Sequence, residues 1–193
     1  MRIAVYGGSF DPMHEGHIAV MRALAGCGLF DRTLVVVSPQ NPLKEEGKRA
    51  NAAQRLVAAG REVLARPELN AEVCDVEFRL QDGNAPMYTW RTLDVLAEEY
   101  PGDSIVLAIG ADSLADMHRW SRYDYILTQY GVVVYPRTGT DLVAVRDALM
   151  EENPAFRITL LEGEKVDISS TQIRNTVARC RQGECPAGPE KAF

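Results

Sequence analysis

Residues 3–17 read Ile-Ala-Val-Tyr-Gly-Gly-Ser-Phe-Asp-Pro-Met-His-Glu-Gly-His, an apolar run followed by two glycines and two histidines. The apolar run predicts a short buried strand, and the residues after it predict a turn into a helix that begins near His14. Gly7 and Gly8 let the backbone approach a bulky anion, because neither carries a Cβ. A helix that begins there directs N–H groups and its positive dipole end toward the same anion. The stretch therefore predicts a phosphate-binding loop.

His14 and His17 stand three residues apart, so a helix places both on one face. The chain has only three histidines, and it has no Cys-x-x-Cys pair that could complete a zinc site. We therefore expect no metal at this pair. The stretch also differs from the G-x-G-x-x-G dinucleotide fingerprint and from the Walker P-loop, because no Gly-Lys-Ser/Thr follows the glycines.

Short apolar runs recur along the chain and alternate with helical patterns. They predict strands near residues 2–6, 33–38, 72–76, 104–109, 131–136 and 157–161. Because these runs are continuously apolar, they favour an α/β fold with a Rossmann-like, doubly wound, mostly parallel sheet and helices on both faces. Ligands of such sheets bind beyond the carboxyl ends of the strands. We expect a single domain over residues 1–193, with a loose tail over 184–193 because Pro186, Gly188 and Pro189 oppose a helix there.

Composition excludes several classes of protein. A net charge of −6 over 193 residues argues against broad nucleic-acid binding, which needs a basic face. The longest apolar stretch, residues 105–111, is too short to cross a bilayer, so we expect no membrane partner. The four cysteines form no metal-binding spacing, and no signal-peptide pattern follows Met1, so we expect a cytoplasmic protein with reduced thiols. A homo-oligomer is compatible with this composition.

A second motif, Ile168-Ser169-Ser170-Thr171-Gln172-Ile173-Arg174, lies about 150 residues downstream. Ser169 and Gln172 have the spacing of a capping box, which predicts a helix start that presents hydroxyls and N–H groups. Arg174 falls early in that helix, where a cation opposes the helix dipole unless an anion lies nearby. Taken alone, the segment favours an ordinary cap beside a solvated arginine. Combined with the first motif, it favours a polyphosphate site.

Together the two motifs resemble the His-x-Gly-His and Ile-Ser-Ser-Thr-x-Ile-Arg signatures of the nucleotidyltransferase superfamily of adenylyl- and cytidylyltransferases. Three further stretches narrow the resemblance, over residues 1–180, to bacterial nicotinate-nucleotide adenylyltransferases. They are residues 109–114 followed by Trp120, residues 85–89, and residues 51–55. The resemblance implies transfer of the adenylyl group of ATP to nicotinate mononucleotide, with Mg²⁺ bound to ATP and no covalent enzyme intermediate.

The resemblance also implies roles for individual residues. The implied catalytic residues are His14, His17, Lys44 and Arg174. The residues implied in ATP binding are Gly7, Gly8, Ser9, Phe10, His17, Gly110, Asp112, Ser170, Thr171 and Arg174. The residues implied in mononucleotide binding are Ser9, Thr89, Asp112 and Trp120.

Alternatives stay open for several of these residues. The sequence alone favours Asp112 as a helix N-cap and Trp120 as a core residue. Lys44 belongs to a charged run in which Lys48 or Arg49 could take its place. The acceptor could instead be phosphopantetheine or a cytidylyl acceptor, or the chain could be a nucleotide-binding regulator without catalysis.

Overall fold

The predicted strands are all present, each within two residues of the expected position. The computed structural model describes residues 1–39, 52–81 and 87–162. The strands are β1 (Arg2–Gly8), β2 (Arg32–Val37), β3 (Ala71–Cys74), β4 (Ser104–Gly110), β5 (Val132–Tyr135) and β6 (Ile158–Leu160). They form one sheet in the order β3-β2-β1-β4-β5-β6, and all five neighbouring pairs are parallel. The predicted α/β fold with a parallel sheet is confirmed.

Helical segments connect the strands. They are α1 (Glu15–Gly26), α2 (Ala52–Leu64), α3 (Val76–Arg79), α4 (Thr89–Glu99), α5 (Ala111–Ala115), α6 (Tyr123–Tyr125) and α7 (Leu142–Glu152). Short 3-10 turns occupy Pro67–Leu69 and Met117–Arg119, and a wider π turn occupies Ile126–Tyr130. Within the described residues, no helix combines the length and the apolar character that crossing a bilayer requires.

The two faces of the sheet bury different helices. Ile3 and Val5 of β1 share one core cluster with Leu93 of α4. Ala4, which points to the opposite face, shares another cluster with Leu24 of α1. Because the central strands are covered on both faces, nearly every position in them is apolar, and this is why the strands read as continuous runs in the sequence.

The order of the strands reverses at β1, because the chain moves outward through β2 and β3 and then returns to place β4 on the other side. A crevice at such a switch point lies beyond the carboxyl ends of the two strands that flank it. The glycine loop, residues 7–10, comprises the last two residues of β1 and the two that follow, and Gly110 ends β4. The fold therefore brings the first motif and the Gly110–Asp112 stretch to one edge of the sheet.

Candidate active site

His14 and His17 cap helix α1 reciprocally. His14 is the N-cap residue, and the N–H of Gly16 donates to its Nδ1 at 3.1 Å. The N–H of His14 donates in turn to Nδ1 of His17 at 3.2 Å. Because an Nδ1 that accepts a hydrogen bond carries no proton, each neutral ring carries its proton on Nε2. The cap thus confirms the predicted helix start and fixes both histidines as Nε2–H donors.

The environment keeps the two imidazoles neutral. Burial, with smaller contributions from the adjacent His14 and from Arg137, lowers the pKa of His17 from 6.5 to about 3. Burial also lowers the pKa of His14, with Arg137 as the next cause. The ring centroids lie 3.8 Å apart. At neutral pH the pair therefore offers two uncharged hydrogen-bond donors on one face.

Phe10 anchors the glycine loop from within the core. Its side chain is only 2% exposed, and its ring packs edge-on against His17 at 4.9 Å between centroids. A Cβ on Gly8 would lie 3.1 Å from the Phe10 ring, so glycine is needed there for close packing. Among the described residues, no atom lies within 4 Å of a Cβ built on Gly7, so that part of the chain leaves open space beside this residue. Phe10 can contribute only its backbone to a ligand.

Asp112 does not cap helix α5, and the expectation that it would do so is wrong. The N-cap residue is Gly110, while Asp112 lies in the first turn. Its carboxylate pairs with Arg137, with 2.5 Å between Oδ2 and Nη1. Arg137 approaches from the loop after β5, the strand next to β4, so the carboxylate of Asp112 has an ion-pair partner there and makes no cap hydrogen bond.

Sequence reasoning missed Arg137. This residue follows β5 by two positions, and its charge lowers the pKa values of both His14 and His17. It therefore places a cation beside the donor pair and the Asp112 carboxylate. The rule that ligands bind where parallel strands end could have found it, because β5 ends at the same edge.

The residues expected to bind the mononucleotide lie on two segments. Helix α4 begins at Thr89, as predicted, after an extended Tyr88 that has no side-chain cap. Trp120 follows a 3-10 turn and packs, partly buried, against the main core cluster. The alternative that Trp120 is a core residue therefore holds for the part of its side chain that packs against this cluster. Leu93 and Leu96 are fully buried, as the helical spacing predicts.

Arg55 joins two loops at the carboxyl edge of the sheet. Its guanidinium extends from α2 and donates to the backbone carbonyls of Ser9, Ser38 and Pro39, the last two at 2.9 and 3.1 Å. Burial lowers the pKa of this guanidinium. The loops after β1 and β2 are thus held together by one side chain, to which the sequence analysis gave no role.

Several predicted site residues lie outside the described residues. They are Lys44, with its alternatives Lys48 and Arg49, and Ser170, Thr171 and Arg174 of the second motif. Their roles stay predictions. Within the described ranges, no group of three His, Cys, Asp or Glu side chains could hold a metal ion.

The sequence profile of the cytidylyltransferase-like family matches residues 5–176, which is most of the chain. The chain belongs to the cytidylyltransferase-like family. One relative, named "Probable nicotinate-nucleotide adenylyltransferase" from Flavobacterium johnsoniae, is 33% identical over 178 residues, or 92% of this chain and 86% of that protein. A relative of the same name from a Roseiflexus species is 36% identical, covering 93% of this chain and 87% of that protein. These relatives confirm the nicotinate-nucleotide adenylyltransferase group predicted within the family.

Solved structures agree on the fold. Plasmodium falciparum nicotinic acid mononucleotide adenylyltransferase complexed with NaAD superposes with a TM-score of 0.73 at 16% identity, covering 91% of this chain and 83% of that chain. The same protein complexed with APC gives a TM-score of 0.66 at 18% identity and the same coverage. At these identities the likeness confirms the α/β fold alone.

Proposed function

We propose that this cytidylyltransferase-like chain transfers the adenylyl group of MgATP to the 5′-phosphate of nicotinate mononucleotide, forming nicotinate adenine dinucleotide and pyrophosphate. The observation that carries the proposal is the pair of neutral Nε2–H donors on His14 and His17 beside the open glycine loop. The relatives named nicotinate-nucleotide adenylyltransferase support the choice of acceptor. This reaction is a step in the biosynthesis of NAD.

The reaction requires the protein to position the two substrates and to stabilise the charge that builds up on the phosphoryl oxygens. The acceptor phosphate is already a nucleophile at pH 7, so attack on the α-phosphorus of ATP needs no enzyme nucleophile and no covalent intermediate. His14 and His17 would donate to phosphoryl oxygens as charge builds up on them. Because each Nδ1 already accepts a backbone N–H, Nε2–H is the group that each ring has for donation to a phosphoryl oxygen.

The remaining charge would be met by cations and backbone groups. Arg137 already lies beside the histidines, where it can offset negative charge on ATP or on the leaving pyrophosphate. The backbone of Gly7, Gly8 and Ser9 would hold phosphate, and Gly110 with Asp112 would meet the ribose. From the segments outside the described residues, we assign to Lys44 the offset of developing charge. We assign binding of the β- and γ-phosphates to Ser170, Thr171 and Arg174. Mg²⁺ enters with ATP, held by phosphates and water.

The acceptor brings a cationic pyridinium ring and an anionic carboxylate. An aromatic face attracts the first, which suits the exposed part of Trp120. The first turn of α4, which opens at Thr89 without a side-chain cap, offers N–H groups and a positive dipole end to the second. Recognition of the carboxylate by that helix start would favour nicotinate over nicotinamide mononucleotide.

Pyrophosphate release tests the proposal. We would supply MgATP with nicotinate mononucleotide, nicotinamide mononucleotide or phosphopantetheine in separate reactions. The expected result is release that is fastest with the nicotinate acceptor. Release only with phosphopantetheine would replace the acceptor, and ATP binding without turnover on any acceptor would indicate a regulator instead.

A matched variant gives the control. His17→Asn keeps an oxygen where Nδ1 accepts the N–H of His14, so the cap of α1 persists, but it removes the Nε2–H donor. We expect turnover to fall on the order of 100-fold or more in a folded protein. Near-normal turnover of this variant would overturn the role given to His17.

A further inference from the structure

Ser38, the first residue after β2, has polar contacts in three directions. Its N–H donates to the carbonyl of Gly8 at 2.9 Å. Its own carbonyl accepts from Nη1 of Arg55 at 2.9 Å. Its side chain lies beside the carboxylate of Glu77, where it lowers the pKa of that carboxylate against the larger, opposite effect of burial. This one residue therefore connects the glycine loop, helix α2 and helix α3.

Glu77 is a buried carboxylate that extends the connection to helix α4. The residue is 8% exposed, and its Oε1 accepts from the hydroxyl of Thr92 at 3.1 Å. Thr92, 2% exposed, lies three residues after Thr89 at the start of α4. A buried carboxylate is costly unless hydrogen bonds satisfy it, so the hydroxyls of Ser38 and Thr92 stabilise Glu77 where it is.

At the other end, Arg55 holds the glycine loop. Its Nη1 also donates to the carbonyl of Ser9, next to the open space at Gly7. A line of polar contacts thus runs from Ser9 through Arg55, Ser38 and Glu77 to Thr92. It begins at the loop assigned to phosphate and ends in the first turn of the helix assigned to the mononucleotide.

We propose that Arg55 and Glu77 are positioning residues that fix the distance between the phosphate loop and the start of α4. The inference rests on the proposed function, because that function assigns the two ends to the two substrates. In-line transfer requires the acceptor oxygen to lie about 3–3.5 Å from phosphorus, and a shift of about 1 Å can cost on the order of 100-fold in rate. Because these contacts set this distance, their loss should lower kcat more than it changes KM for either substrate.

Thr92→Val tests the inference, because it removes the hydroxyl and keeps the shape. Thr33→Val is the matched control, since Thr33 is 1% exposed and lies at the opposite, amino end of β2. We expect Thr92→Val to lower kcat about tenfold while KM for ATP and for the mononucleotide each change less than about threefold. Thr33→Val should leave all three constants within about twofold of the wild type.

Glu77 itself offers two further variants. Glu77→Gln can still bond both hydroxyls, because its amide accepts from one and donates to the other, so it should retain most of the wild-type kcat. Glu77→Met fills the volume without hydrogen bonds and should match Thr92→Val. If kcat of Thr92→Val and Glu77→Met falls only in proportion to the folded fraction, the residues are structural and the inference fails.

Amide hydrogen exchange tests the same line without any turnover. In Thr92→Val we expect the Ser38 amide to exchange several-fold faster than in Thr33→Val, because Ser38 loses its restraint through Glu77. Equal exchange in the two variants would overturn the inference even in an active enzyme. A wild type that is inactive with nicotinate mononucleotide would overturn the proposed function, and the exchange result would then still show whether Glu77 and Thr92 restrain Ser38.

Discussion

Acid should destabilise this protein through His17 in particular. Burial holds the pKa of His17 at about 3 in the folded chain, against an ordinary value of 6.5. Below pH 6.5 the unfolded chain therefore takes up a proton at His17 that the folded chain does not, and the free energy of unfolding falls as the pH falls toward 3. Each pH unit below 6.5 corresponds to about 1.4 kcal/mol, so at pH 5 the loss from this residue is about 2 kcal/mol.

Urea unfolding, followed by tryptophan fluorescence at pH 7 and pH 5, measures this loss. Other groups titrate in the same range, so His17→Asn serves as the reference: it keeps the cap acceptor and has no proton to gain. The free energy of unfolding of the wild type should fall by about 2 kcal/mol more than that of the variant over this interval. Equal losses in the two proteins would refute the claim that His17 is held neutral by its surroundings.

Four further predictions concern single residues. Gly131→Ala should lower the free energy of unfolding by about 2–4 kcal/mol in urea unfolding, because φ is +74° and the new Cβ would lie 2.9 Å from Cβ of Arg157. Gly60→Ala, within α2 and with no neighbour inside 4 Å, should raise it by about 0.5–1 kcal/mol, and the opposite order would contradict the packing argument. Arg137→Met should lower turnover about tenfold or more and raise the pKa values of both donor histidines, which proton NMR titration would detect. Trp120→Ala should raise the mononucleotide KM more than it lowers kcat in steady-state kinetics, and an unchanged KM would leave this side chain a purely structural role.

The sequence predicted those features that depend on local pattern. The six strands were predictable because burial on both faces makes each of them continuously apolar. The helix start at His14 was predictable because glycines and polar residues follow the apolar run of β1. The start at Thr89 was predictable because this polar residue precedes the apolar positions of α4. The space beside Gly7 was expected because a glycine carries no Cβ.

Contacts between distant parts of the chain could not be predicted in this way. Arg137 meets Asp112 only because β5 lies beside β4, and that neighbour relation is not visible in either segment alone. The same holds for Arg55, which bonds the Ser9 carbonyl 46 positions away. Asp112 shows the consequence: local propensity favoured a helix cap, and a tertiary ion pair gave the residue a different partner.

The central claim is that the adenylyl group passes directly from ATP to nicotinate mononucleotide. The stereochemical outcome at the α-phosphorus tests it most directly. ATP that carries one sulfur of known configuration at the α-phosphorus would be incubated with nicotinate mononucleotide and the enzyme, and the product examined by phosphorus NMR. A single in-line attack by the acceptor phosphate predicts the thio analogue of nicotinate adenine dinucleotide with inverted configuration. Retained configuration, or no dinucleotide at all, would contradict direct transfer of the adenylyl group to this acceptor.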